Sequence, residues 1–290
     1  MKHSIKYLII LLSLATVQSC KKDFLDRPPI DQLTVANFYK TDEEVMAGTA
    51  PLYNIVWFDF NDKAFLAFGE ARGGNLNSND RTAYIQHAVS ATDVNQLLPG
   101  YKSFYKIIAQ SNITMQSIIN SSDISTPIRR MGIAECRFMR AIAHFYLVMN
   151  WGAVPIVYDN IKQLGTPPHR NNIEDVWKFI ILDLRFAAEN LPTVAVQQGR
   201  LTKWAAEGLL AKAYLYRSGL GAASATARRQ SDLDSAKYFA SDVVNNSGLN
   251  LYPTYAGLFR SATNNSSNNN PEGLFSIQWM PFSEPWGINN

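Results

Sequence analysis

Aromatic rings and planar polar side chains concentrate in two stretches of the chain that show no helical period. The aromatic planes and the polar groups of these stretches are Trp57, Tyr84, Trp279 and Trp286, and Arg72, Asn75, Asn77, Asn79 and Asp80. An aromatic plane can stack on an apolar ring face, while guanidinium, amide and carboxylate groups bond to polar ring edges. The pattern predicts a recognition site, and for each loop tryptophan core packing remains the alternative to a ligand platform.

Hydrolysis by paired carboxylates is the competing chemistry for the same stretches. The acids that could supply it are Asp59, Asp62, Glu70 and Asp80. Two such groups must face each other across a cleft, which spacing alone cannot show. The histidines His3, His87, His144 and His169 lack helical metal-ligand spacing, and there is no nucleophile elbow, P-loop or dinucleotide fingerprint. The sequence therefore predicts a protein without catalysis, metal or cofactor.

Composition and charge restrict the class of protein. The 290 residues are 47% apolar and 18% charged, which is typical of a packed globular chain. Without Lys2 and Lys6, which lie in a segment expected to be removed, the 27 basic residues fall to 25 against 24 acidic ones. A chain this close to neutral offers no basic face for nucleic acid. Two cysteines cannot form a disulfide scaffold.

The first 19 residues have the zones of a secretory signal peptide. A basic start is followed by an apolar run over residues 7–15, which is shorter than the roughly 20 residues that a membrane span needs. The sequence Val17-Gln18-Ser19-Cys20 resembles a bacterial lipobox. Cys20 is therefore predicted to carry the lipid anchor, and residues 20–40 an extended tether. Cys136 is predicted to be a buried structural thiol.

Helix signals begin at Thr41, which with Glu44 forms a capping box, and Pro51 predicts an early break in this helix. Residues 58–98 show no lasting helical period and are expected to form a long, functional loop with short extended pieces. Helices dominate residues 99–246. Their predicted start signals are Thr126-Pro127, Asn172, Thr202 and Ser231, and their predicted stops are Gly152 and Pro192. The residues predicted to be buried in these helices are Phe138, Phe145, Trp177, Leu184 and Trp204.

Two of the helices repeat a short pattern. Ala134-Glu135 with Arg140-Ala141 is echoed by Ala206-Glu207 with Lys212-Ala213, at an offset of about two tetratricopeptide units of roughly 34 residues each. The echo favours a helical-repeat scaffold, with an ordinary helical bundle as the alternative. Residues 261–270 are predicted to be a polar loop, and Leu274–Trp279 alternates as a strand would.

A set of short motifs is spread in order along nearly the whole chain. They are Cys20 with Asp23-Phe24-Leu25-Asp26, Phe38-Tyr39, Tyr105 with Ile108 and Asn112, Arg137-Phe138, Trp151-Gly152-Ala153-Val154-Pro155, Asp183-Leu184, Gly199-Arg200, and Leu210-Ala211-Lys212. Together they resemble the SusD/RagB family of cell-surface glycan-binding lipoproteins of Bacteroidetes. The resemblance implies a mainly α fold: a tetratricopeptide-like helical repeat scaffold with an irregular loop-rich lobe and a few short strands.

The resemblance also implies a domain plan. Residues 41–260 would form the helical domain with its insertion at about 58–98, and residues 261–290 a linker and the start of an incomplete carboxyl-terminal region. Family members bind glycans and cap a SusC-like TonB-dependent transporter in the outer membrane.

The residues predicted to contact an oligosaccharide are Arg72, Asn75, Asn79, Asp80, Trp279 and Trp286. In the alternative interpretation, Arg72 and Asp80 pair with each other and only hold the loop together. A second function is a structural lid of the transporter complex without a sugar site.

Overall fold

The computed structural model describes residues 38–165, 167–259 and 270–277. From Tyr39 onward, the described residues form one compact helical unit. Its α-helices are α1 (Asp42–Thr49), α2 (Thr82–Ile85), α3 (Leu97–Asn120), α4 (Thr126–Trp151), α5 (Ile173–Asn190), α6 (Lys203–Ser218) and α7 (Gln230–Asn246). No helix among the described residues is both long and apolar enough to cross a membrane.

The start of α1 follows the predicted capping box. The Thr41 hydroxyl accepts a hydrogen bond from the Glu44 amide at 3.2 Å, and the Glu44 carboxylate accepts one from the Thr41 amide at 2.9 Å. The α-helix ends at Thr49, and Ala50–Tyr53 continues as a 3₁₀ turn with Pro51 in its first turn. The predicted early break is confirmed, because proline cannot supply the amide that an uninterrupted α-helix needs.

The starts of the later helices are confirmed in part. Asn172 caps α5 by accepting from the Asp175 amide at 2.8 Å, and α4 ends before Gly152, whose φ of 70° leaves the helical region. The N-cap of α4 is Ser125, one residue before the predicted Thr126. α7 begins at Gln230 with Arg229 as its N-cap, so the predicted cap at Ser231 was wrong. Arg229 is held there by its ion pair with Glu174.

From α3 to α7, the helices pack mainly against their neighbours in chain order. The predicted core residues Phe138, Phe145, Trp177 and Leu184 are buried, as is Trp204. The Phe145 ring joins three helices, with its centroid 5.4 Å from that of Trp177 and 5.7 Å from that of Tyr216. This nearest-neighbour order is that of a helical-repeat scaffold.

The repeated pattern in α4 and α6 has a structural counterpart. Both glutamates are buried, and each meets a cation: Glu135 pairs with Arg200 at 3.0 Å, and Glu207 with Lys203 at 3.2 Å. The alanines of both copies are also buried. The last charged position differs, because Arg140 is buried whereas Lys212 is exposed. The repeated pattern therefore marks equivalent helix faces rather than identical contacts.

The stretch from 58 to 71 is helical, so the prediction of an extended loop was wrong there. α-helical turns alternate with the π-helical turns Phe60–Ala64 and Ala67–Ala71. The buried face consists largely of Ala64, Ala67 and Ala71. A π-turn is wider than an α-turn, and alanine gives only a weak apolar signal. A search for a 3.6-residue period therefore passes over this helix.

The predicted strand at Leu274–Trp279 is absent from its described part, residues 274–277, and no other strand occurs among the described residues. A strand needs a partner to satisfy its backbone groups, and the described residues supply none beside this segment. Phe275 instead packs edge-on against helical-unit side chains, with ring centroids 6.0 Å from Tyr53 and 5.5 Å from Phe138. The prediction of a few short strands was therefore wrong for the described part of the chain.

Candidate ligand-binding site

The predicted ligand loop begins at the end of the second π-helical turn. The Gly73 amide donates to the Gly69 carbonyl at 2.8 Å, and the Asn75 amide donates to the Glu70 carbonyl at 2.9 Å. Gly74 adopts a φ of 78°, which a residue with a side chain rarely takes. These bonds turn the chain sharply and bring residues 72–80 out as a defined surface loop.

A small apolar cluster lies beneath this loop. Ala67, Ala71 and Tyr84 are buried, and the partly buried side chains packed against them are Phe68, Leu76, Ile85 and Val89. The cluster joins the helical scaffold through Phe68, whose ring centroid lies 5.3 Å from that of Trp151. A Cβ on Gly100 would lie only 2.8 Å from the Phe68 ring. The glycine therefore permits close approach of α3 to the loop's support.

The four predicted contact residues that the structure describes share one property. Arg72, Asn75, Asn79 and Asp80 are all exposed. Within the described part of the chain, Arg72, Asn75 and Asn79 make no side-chain hydrogen bond or ion pair that would compete with a ligand. The loop therefore presents a guanidinium group and two amides to solvent, the donors and acceptors that paired hydroxyls need.

Asp80 has a partner other than the one considered from the sequence. Its carboxylate accepts from the Arg81 guanidinium at 2.7 Å and also contacts the Ser78 hydroxyl. The hydrogen bond from Ser78, together with Arg81, lowers the pKa of Asp80 below its usual range. The interpretation that pairs Arg72 with Asp80 is thus wrong, and Arg72 remains available.

Three of the predicted functional residues lie outside the described part of the chain: Cys20, Trp279 and Trp286. The alternatives for Trp57 and Tyr84 are decided in favour of core packing, since each is only 2% exposed. The Trp57 indole donates to the Leu52 carbonyl at 2.8 Å. Neither ring can serve as a stacking platform in this conformation.

Two of the four acids that were considered for a catalytic pair are bound to cations. Asp59 lies between Lys106 and Lys63, and the hydrogen bond from Lys106 lowers the pKa of this carboxyl. Asp80 is likewise paired with a cation. A general acid needs a raised pKa. Burial raises the pKa of Glu207, but its carboxylate pairs with Lys203 between packed helices.

Among the described residues, no group of three or more acids, histidines or cysteines could hold a metal.

Two concave surfaces were not predicted from the sequence. An open groove of about 740 Å³ is lined mainly by apolar residues of the loop after α4, including Pro155, Val157, Leu164 and Pro168. A smaller cleft of about 240 Å³ lies beside Tyr53 and Arg200. Every lining residue of the groove lies between Pro155 and Asn171, so its walls form only when this loop folds back on itself.

Comparison with known proteins gives the class. A family model described as SusD-like, starch-binding and associating with the outer membrane matches residues 23–215. A SusD-like protein of Bacteroides ovatus is 37% identical over 288 residues, which is 98% of this chain and 51% of that protein.

Solved structures agree in fold. A crystal structure with xylogluco-oligosaccharide has 38% identity and a TM-score of 0.75, over 83% of this chain and 47% of that one. A laminarin-binding SusD-like protein, at 20% identity, has a TM-score of 0.64 over 80% of this chain and 50% of that one.

These comparisons define a tetratricopeptide-like helical protein, as the sequence predicted, whose matching family is described as starch-binding. The chain belongs to the SusD-like family. It spans about half the length of the curated relatives that it matches.

Proposed function

We propose that this protein binds oligosaccharides through the loop that carries Arg72, Asn75, Asn79 and Asp80, and that it performs no catalysis. Trp279 and Trp286 are the proposed stacking rings. The observation that carries the proposal is the 38% identity to a structure solved with xylogluco-oligosaccharide. The exposed Arg72 and Asn79 side chains, which have no ion pair or side-chain hydrogen bond among the described residues, support it. The lowered pKa values of Asp59 and Asp80 also support it, because they disfavour an acid catalyst.

The proposed function can be tested by isothermal titration of the purified protein with xylogluco-oligosaccharides, laminarin oligosaccharides and a wider glycan panel. We expect Arg72→Ala and Trp286→Ala each to weaken the affinity by about tenfold or more, because both would remove a ligand-contacting group. Arg130→Ala, on an exposed arginine of α4, is the matched control and should bind as the wild type does.

Melting temperatures separate binding from folding in this test. Variants that lose affinity at an unchanged melting temperature support the site. A lowered melting temperature with intact affinity would show that Arg72 and Trp286 are structural. Absence of binding to every glycan would contradict the proposed function itself.

A second candidate function is that of a structural lid in a transporter complex, without a sugar site. The groove after α4 favours it, since its lining residue Leu164 and the neighbouring Ile161 are 82% and 80% exposed. Apolar side chains exposed in this way are typical of surfaces that contact another molecule. The glycan titration discriminates between the two functions.

We also propose how the protein is placed in the cell. A lipid on Cys20 would anchor it in the outer membrane with its bulk exposed at the surface, and a SusC-like TonB-dependent transporter would receive the bound glycan. The family description supports association with the outer membrane. The lipobox-like sequence before Cys20 supports the anchor.

A further inference from the structure

We propose that the hydrogen bond between Tyr84 and Asp93 is the positioning element of the ligand loop. This inference rests on the proposed oligosaccharide site and deepens it. Neither residue would touch the ligand: Tyr84 is 2% exposed, and its ring lies beneath the loop rather than in it. Both act by fixing where the exposed side chains of residues 72–80 stand relative to the helical scaffold.

The bond joins a buried phenol to a carboxylate. The Tyr84 hydroxyl donates to the Asp93 carboxylate at 2.6 Å. Burial and this carboxylate raise the pKa of Tyr84 above its usual range, so the phenol remains a donor throughout the physiological range. Hydrogen bonds to an ionised acceptor are shorter and stronger than neutral ones.

Asp93 also binds the backbone at the start of α3. Its second carboxylate oxygen accepts from the Asn95 amide at 2.7 Å and the Gln96 amide at 3.2 Å, just before α3 begins. Although burial opposes it, these bonds and the one from Tyr84 lower the pKa of Asp93 overall. One carboxylate thus connects the first turn of a scaffold helix to the cluster beneath the loop.

Tyr84 is connected to the predicted contact residues on both sides of the loop. Tyr84 packs in the cluster with Ala71 and Leu76, which flank the turn that carries Arg72 and Asn75. Arg72 lies close enough that its charge acts on the Tyr84 phenol. On the other side, the Thr82 hydroxyl donates to the Asn79 carbonyl at 2.9 Å, two residues before Tyr84. Movement of the Tyr84 ring would therefore move both ends of the predicted site.

The test uses Tyr84→Phe, which keeps the ring and removes only the hydroxyl. We expect oligosaccharide affinity to fall by about tenfold, the effect of losing one charge-assisted hydrogen bond. Asp93→Asn keeps an acceptor for Tyr84 and should give an intermediate loss. Tyr105→Phe is the matched control, because it also removes one tyrosine hydrogen bond, from Tyr105 to the Pro155 carbonyl at 2.9 Å. It should leave the affinity unchanged.

A double-mutant comparison identifies the route of the effect. In the Arg72→Ala background, Tyr84→Phe should cost less affinity than it does in the wild type, because the two substitutions act through the same contacts. Full additivity, or unchanged affinity of Tyr84→Phe at any melting temperature, would overturn the inference.

Amide hydrogen exchange tests the same inference without any ligand. In Tyr84→Phe, the loop amides of Gly73 and Asn75 should exchange faster while those of α4 keep their wild-type rates. Unchanged loop exchange would overturn the positioning role. If the wild type bound no glycan but the loop amides responded as expected, the proposed function would fail, while the positioning of the loop by Tyr84 and Asp93 would stand.

Discussion

Arg140 shows at the residue scale how the scaffold tolerates a buried charge. Its guanidinium meets the Asp183 carboxylate through two hydrogen bonds of 2.8 Å and donates to the Asn112 side chain at 2.7 Å. All three side chains are buried and come from three different helices. Removing one partner would leave a buried charge uncompensated, which is far more costly than losing an exposed ion pair. The network therefore specifies how α3, α4 and α5 fit together.

His144 lies one turn after Arg140 and makes the protein sensitive to acid. The ring is fully buried, and its Nδ1 is 2.9 Å from the Arg140 carbonyl. Burial lowers its pKa to about 4. Between that value and the usual pKa of about 6.5, the unfolded chain binds a proton that the folded chain rejects. We expect the free energy of unfolding to fall by about 2 kcal/mol from pH 7 to pH 5 through this residue.

Urea unfolding of the wild type and His144→Leu at both pH values checks this prediction. The carboxylates titrate in both proteins, so the difference between their pH dependences isolates His144. The wild type should lose more stability than the variant on acidification. Equal losses would mean that His144 takes up a proton within the folded core.

At the scale of elements, helix contacts are concentrated on a few aromatic side chains of α4. Phe145 is 6% exposed and contacts aromatic rings of α5 and α6. Truncating a buried phenylalanine removes its transfer free energy and leaves a cavity. Phe145→Ala should therefore lower the free energy of unfolding by about 3–5 kcal/mol.

Met149 provides the control for this substitution. It lies one turn further along α4 and is 44% exposed. Met149→Ala should change the free energy of unfolding by roughly 1 kcal/mol or less, since little apolar surface is lost. Thermal and urea unfolding of the two variants measure the contrast. Similar losses in both would contradict the assignment of Phe145 to the interface between helices.

At the scale of the whole molecule, the proposed anchor concerns where the protein resides. Cys20→Ala should abolish palmitate labelling and move the protein out of the detergent phase, because the thiol that would carry the lipid is gone. Cys136→Ala is the matched control, since this buried thiol should not be lipidated. Unchanged labelling and partitioning of Cys20→Ala would contradict the anchor.

The sequence by itself determined the helices that bury a regular face. In α5, apolar residues recur with the helical period between Asn172 and Pro192, so local chemistry specifies both ends and the buried side. The family could be identified in the same way, because short motifs such as Gly199-Arg200 keep their order along the chain. Where the pattern depended on π-turns and alanines, as in residues 58–71, the local signal was too weak.

Only the tertiary structure decided which side chains face a ligand and which support the site. Trp57 and Tyr84 are buried, while Arg72 is exposed, although all three lie in the same region of sequence. Asp80 pairs with its neighbour Arg81 rather than with Arg72, and Tyr84 bonds to Asp93, nine residues further along the chain. Residue types give the chemistry that is available, but burial and partners depend on contacts between distant segments, which local spacing does not encode.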